Sequence, residues 1–157
     1  MDRDRPPVED APGNVTIRPV REEDLPILFE HQRDPKANAM AAFPPRDREA
    51  FMEHWAKILS DPSCEARAIE LDGRVAGNVG SFDFEGRREV GYWIDRALWG
   101  RGVATRALVL FLQQETRRPL SAGVVPDNAG SIRVLEKCGF VRTGETSADG
   151  HVIFRLG

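Results

Sequence analysis

Two glycines, Gly100 and Gly102, flank Arg101 at the point where an apolar segment, GYWI, gives way to the amphipathic stretch VATRALVLFL. Glycine at both places permits positive φ and lets a ligand come close to the backbone, and Ala104 keeps that approach nearly as open. The helix that begins behind the turn leaves its first amides without intrahelical partners, and the positive end of its dipole lies on the same side. Such a turn suits a phosphate or pyrophosphate. Thr105 can add a hydroxyl donor, and Arg101 and Arg106 can add charge. Two nucleotide-binding patterns are excluded: the GxxxxGK[ST] loop is absent, and a dinucleotide fingerprint would need a third glycine where Thr105 sits.

The elements around the turn predict a mixed fold. VTIRPV alternates as a strand, and Glu22, Glu23 and Asp24 put negative charge at the start of a helix running towards Arg33. Phe51, Trp55, Ile58 and Leu59 form one stripe of a second helix beginning just after Pro44 and Pro45. Asp72-Gly73 and Glu85-Gly86 mark tight turns between strands, and REVGYWI is the strand that leads to the glycine turn. Val103, Ala107, Leu110 and Phe111 give the third helix its buried face, and PLSAGVV is a further strand. Asp127 and Asn128 are candidate N-caps of a helix carrying Ile132, Val134, Leu135 and Cys138, and the chain closes with a hairpin turned at Asp149-Gly150. This order predicts an α+β layered fold: a mixed, mostly antiparallel sheet with a central parallel pair bridged by the third helix, and helices on both faces.

Composition narrows the function. The 157 residues, 41% hydrophobic and 30% charged, fit one globular domain over 15–157, behind a charged, proline-rich segment over 1–14 that reads as a flexible tail. A net charge of −3 gives no basic surplus for nucleic acid or an anionic membrane, so neither is expected as a partner. Cys64 and Cys138 lie far apart, and His31, His54 and His151 show no ligand spacing, so no metal site is expected. The absence of a long apolar run or a signal-like beginning leads us to expect a cytoplasmic protein. A homodimer is left open.

The segment NAGSIRVLEKCGF, Asn128 to Phe140, together with WGRGVAT, resembles the paired motifs of the GNAT superfamily of acyl-CoA N-acyltransferases. The likeness covers Val15 to about Glu145 in element order and looks closest to the branch that acetylates ribosomal-protein N-termini. It implies acetyl-CoA as co-substrate, its pyrophosphate held at the glycine turn and its pantetheine arm lying between two parallel strands that splay apart, Val90 to Ile94 and Leu120 to Val124. Splaying leaves strand amides and carbonyls without ladder partners, which the arm's own amides can satisfy as an added strand would. By the same resemblance Ile94 offers backbone bonds to the acetyl-pantetheine end, while Arg101, Gly102, Ala104 and Thr105 surround the pyrophosphate. Asn128 hydrogen-bonds the arm, although its residue type also fits a plain helix cap. Trp99 stands where many members carry Gln or Arg.

Acyl transfer to an amine needs a neutral amine, held in place, a stabilised oxyanion and a thiolate able to leave. The resemblance makes Glu89 the candidate base, with Asp83 and Glu85 as rivals. On strict alternation Glu89 lies on the face opposite Ile94, unless a bulge changes the parity. Many members place a tyrosine seven positions after the asparagine as the acid; here that residue is Leu135, and Ser131 is the candidate proton donor. The amine acceptor, a peptide N-terminus or a small molecule, is expected in a pocket built from the loop Asp34 to Arg46 and the last hairpin. An acyl-CoA-binding module without turnover is the alternative.

Overall fold

The computed structural model describes residues 13–41 and 44–157. Two tight turns organise the first half of the sheet. At Asp72-Gly73 the φ angles are 52° and 83°, and at Glu85-Gly86 they are 52° and 78°, as a two-residue turn matched to strand twist demands. The first joins β2 (Glu65–Leu71) to β3 (Arg74–Phe84), and the second joins β3 to β4 (Arg87–Ile94). With β1 (Val15–Pro19), β5 (Leu120–Val124), β6 (Val141–Thr146) and β7 (Val152–Leu156), they form one seven-stranded sheet in the order β1-β2-β3-β4-β5-β7-β6. All neighbours are antiparallel except β4 and β5. That parallel pair is joined at a single position, Glu89 opposite Ser121. Beyond it Val90 to Ile94 and Ala122 to Val124 part, so the splayed pair read from the resemblance is present.

Helices cover both faces. On one side α4 (Val103–Gln114) and α5 (Ala129–Lys137) pack on Val90, Ile94, Leu120, Ala122 and Val124. On the other, α1 (Leu25–Gln32) and α3 (Arg48–Ser60) bury Leu28, Phe29, Phe51 and Trp55 against Val20 and Ala68. The buried face of α4 is Val103, Ala107, Leu108 and Phe111. Leu108 thus takes the place expected for Leu110, which is half-buried; the two flank the same stripe, and the sheet lies towards Leu108. α3 starts at Arg48 rather than directly after the prolines because the Asp47 carboxylate accepts from the Ala50 amide at 2.8 Å and caps it. Its stripe ends early, with Leu59 41% exposed.

The expected loop from Asp34 to Arg46 contains a short helix, α2 (Pro35–Ala41). Asp34 initiates it, its carboxylate accepting from the Lys36 and Ala37 amides. Of the expected tail, residues 1–12 lie outside the described residues, while Asn14 exchanges hydrogen bonds with Asp72. Arg18 of β1 donates to both carboxylate oxygens of buried Asp24, at 2.8 and 2.9 Å, and to Glu70 at 2.6 Å, which pins the start of α1 to the sheet edge. No helix among the described residues is long and apolar enough to cross a membrane.

At the far end of α4, Glu115 is 4% exposed and accepts from Ser81 Oγ at 2.7 Å and from the Arg117 guanidinium at 2.7 and 2.9 Å. The Arg117 hydrogen bonds, aided by Ser81, outweigh burial and hold its carboxyl down at about 2. Because the folded value lies below the unfolded one, its contribution is complete above about pH 4.5 and is lost as pH falls towards 2. Glu115→Gln is expected to cost on the order of 3 kcal/mol at pH 7. Urea unfolding of parent and variant should show that gap closing between pH 4.5 and 2.

Candidate functional site

The parting of β4 and β5 opens a cleft of about 360 Å³. One wall is the end of β4, with Tyr92, Trp93 and Ile94; the floor of the turn follows with Leu98, Trp99, Gly100 and Gly102. The first turn of α4 supplies Ala104 and Thr105, the first turns of α5 supply Asn128, Gly130 and Ser131, and α2 closes the opposite side with Ala37, Met40 and Ala41. The candidate site residues Ile94, Gly102, Ala104, Thr105, Asn128 and Ser131 therefore meet here. Arg101 is exposed and does not line the cleft.

The glycine turn has the geometry that its composition predicts. Gly100 and Gly102 have φ of 78° and 80°, and a Cβ at Gly100 would meet nothing within 4 Å. Gly102 is the N-cap of α4 and, lacking a side chain, leaves the first amides of that helix uncapped. Those open donors, the splayed strands, and Arg133 and Lys137 on the α5 wall fit an elongated ligand carrying phosphates at one end.

Two contacts modify the expected roles. Trp99 Nε1 donates to the Ile94 carbonyl at 3.1 Å, so one of the groups that splaying would leave unpaired already has a partner. Asn128 does cap its helix, Oδ1 accepting from the Ser131 amide at 3.1 Å; its carboxamide nitrogen makes no hydrogen bond among the described residues.

Glu89 is 8% exposed and accepts from the Arg87 guanidinium at 2.9 and 3.2 Å. It does not line the cleft. The β3–β4 register runs unbroken from Gly77 opposite Ile94 to Phe84 opposite Arg87, so no bulge against β3 changes the parity and Glu89 shares the face of Gly91 and Trp93. The rivals are further off: Asp83 is held by Arg88 at the hairpin end and Glu85 sits in the turn. The last hairpin, expected beside the acceptor, contributes no lining residue.

Sequence reasoning passed over Tyr92 as a site residue. Counting by two from Ile94 puts Tyr92 on the same face, and its hydroxyl lies 2.6 Å from Ser131 Oγ. Burial pushes the phenol up to about 12, against the opposing effect of the Ser131 hydrogen bond. Behind Trp93, His31 is 9% exposed with Nδ1 unpartnered, and burial pushes its imidazole down against the pull of Asp95. The Trp93 indole donates to the His31 carbonyl at 3.3 Å, which ties the cleft wall to α1.

Residues 14–141 match the family model described as acetyltransferase (GNAT) domain. The chain belongs to the GNAT acetyltransferase family. Family members use acetyl-CoA as co-substrate, and this GNAT chain is accordingly an acetyl-CoA-dependent N-acetyltransferase. It is 26% identical over 143 residues to the uncharacterized N-acetyltransferase p20 of Bacillus licheniformis, covering 83% of this chain and 80% of that protein. Among solved structures it is similar to spermidine N-acetyltransferase from Vibrio cholerae in complex with CoA and spermine, at TM-score 0.76 and 17% identity, covering 90% and 92% of the two chains. It is equally similar to RimL, a ribosomal L7/L12 alpha-N-protein acetyltransferase in complex with coenzyme A, at TM-score 0.75 and 18% identity, covering 90% and 93%. These two likenesses are of fold, and the two enzymes differ in acceptor.

Proposed function

We propose that this GNAT chain acetylates an uncharged α-amine at a peptide or protein N-terminus, or another amine of low pKa, by direct attack on the thioester. The observation that carries the reading is the wall around the acceptor end. Ala37, Met40, Ala41 and Trp93 are small or apolar, and no carboxylate lines the cleft among the described residues. A polyamine or an ammonium-rich antibiotic would find no counter-charge there, and a neutral amine needs none.

The acetyl thioester supplies the activated acyl group. Around it, the open amides of α4 with Gly102, Ala104 and Thr105 hold pyrophosphate, Arg101 adds charge from the exposed side of the turn, and the unpaired backbone of β4 near Ile94, with Asn128, orients the arm. Glu89 serves as base through a water. Gly91 carries no side chain to fill the stretch between Glu89 and Trp93, and a Cβ there would meet only the Phe82 ring at 3.8 Å. Because the carboxylate stands off the cleft, Glu89→Gln is expected to lower kcat by about 10²-fold, the lower end of base catalysis, with KM for acetyl-CoA unchanged. Full rate in the variant across neutral pH would place the base elsewhere.

The test of the function is a scan of amines with acetyl-CoA that follows release of free thiol. Transfer to peptides with free N-termini, and none to spermidine, is the expected result. Preferred transfer to spermidine or an aminoglycoside would overturn the acceptor class, and acetyl-CoA binding without thiol release from any amine would leave an acyl-CoA-binding module.

A further inference from the structure

The hydroxyl pair on the cleft wall has a role that the glycine turn and the acceptor wall do not explain. Tyr92 comes from β4 and Ser131 from the first turn of α5, so the pair bridges the two sides of the cleft. Ser131 is held at two atoms: its amide by Asn128 Oδ1 at 3.1 Å and its Oγ by the Tyr92 hydroxyl at 2.6 Å. At 2.6 Å either hydroxyl can donate; with the phenol, the more acidic of the two, as donor, its one hydrogen goes to Ser131 Oγ. That leaves the serine hydrogen free, and a hydroxyl that accepts one hydrogen bond donates a second more strongly.

We infer that Tyr92 is a positioning residue, which orients and polarises the Ser131 hydroxyl so that Ser131 hydrogen-bonds the departing sulfur of the thioester. This rests on acetyl-CoA occupying the cleft as proposed above. As the carbon–sulfur bond breaks, the electron pair stays on sulfur, and Ser131 Oγ–H donates to the thiolate without giving up its proton. The attacking amine's proton goes to the base and then to water. No proton crosses the pair, because a phenol raised by burial to about 12 holds its proton against a thiol near ~8.5. The pair acts by hydrogen bonding alone, and it stays able to donate throughout the working range of pH.

The direct test needs no turnover. A donor aimed at sulfur favours the charged thiolate and lowers the thiol pKa. The probe is CoA itself, bound to the protein and titrated by thiolate absorbance, with the unliganded protein subtracted to remove Cys64 and Cys138. We expect the bound thiol to titrate below its ordinary value of ~8.5, and Tyr92→Phe and Ser131→Ala each to raise it by about one unit, with the double variant no higher than either. Since Tyr92 is the only tyrosine of the chain, growth on 3-fluorotyrosine changes this phenol alone; it packs alike, donates more strongly, and should lower the thiol value further. That measurement stands even if Tyr92→Phe does not fold. In turnover, Tyr92→Phe should lose about tenfold in kcat with KM for acetyl-CoA unchanged, the size of one hydrogen bond to a charged group. A merely packing role would move CoA affinity instead. CoA bound with the same thiol titration in parent, variants and fluorinated protein would overturn the inference. Failure of the parent to bind CoA would overturn the proposed function, and this inference with it.

Discussion

Gly102→Val is expected to abolish acetyl-CoA binding, with a loss of at least about 10²-fold in affinity, while the protein stays folded. Two physical effects act together at this position. Gly102 holds φ of 80° as the N-cap of α4, a conformation that a β-branched residue adopts only with strain, roughly 1–2 kcal/mol for any side chain with a Cβ. Relief of that strain would rotate the first amides of α4 away from the cleft, and any part of the side chain that stays takes up room beside donors that a pyrophosphate needs close. Asn tolerates the left-handed region, so Gly102→Asn separates the causes: if strain dominates, Asn keeps more affinity than Val, and if bulk dominates, both lose it. Calorimetry reads the affinity and thermal unfolding checks the fold. A folded Gly102→Val protein with unchanged affinity would remove the turn from the binding site.

What the sequence made legible follows the range of the forces involved. Asp72-Gly73 and Glu85-Gly86 could be read because a two-residue turn needs positive φ at adjacent positions, a demand that the dipeptide itself answers. The glycine turn and the cap at Asn128 are local in the same way. The helix Pro35–Ala41 escaped notice because PKANAMA has no apolar period; Ala37 and Asn38 are buried by neighbours that the segment does not contain. Asn38 shows this well, since its amide donates to the carbonyls of Gln32 and Asp34 and so locks α2 against the end of α1.

The candidate chemistry was harder to read for the same reason. Tyr92 and Ser131 are 39 residues apart, and only the packing of α5 over the splayed strands brings their hydroxyls to 2.6 Å. Trp99, set apart by its identity, folds back on Ile94 five residues before it, which no propensity encodes. For Glu89 the alternation rule already gave the face, and the unbroken register with β3 keeps it there. A carboxylate picked by resemblance thus sits on the face of β4 opposite Ile94 and does not line the cleft.

The acceptor should divide by proton cost. At pH 7 an α-amine of pKa near ~7.7–8.0 needs about 1 kcal/mol to become neutral, whereas a lysine near ~10.4 needs about 4.6 kcal/mol, so their neutral fractions differ by about 300-fold. Nothing in the cleft removes that gap. No carboxylate lines the cleft among the described residues to hold either amine in its charged form, so nothing there selects for lysine. Two peptides of one sequence, each with an internal lysine and one with its N-terminus blocked, are expected to differ by a few hundred-fold in kcat/KM at pH 7. Raising the pH should increase the lysine rate about tenfold per unit, while the α-amine rate levels off above pH 8. A pure proton effect makes the two rates converge as the pH approaches the lysine pKa, whereas a steric preference leaves a gap after both amines are neutral. Transfer confined to the lysine of the blocked peptide would show that the acceptor class is wrong and that a stronger base than a water-linked Glu89 operates in the cleft.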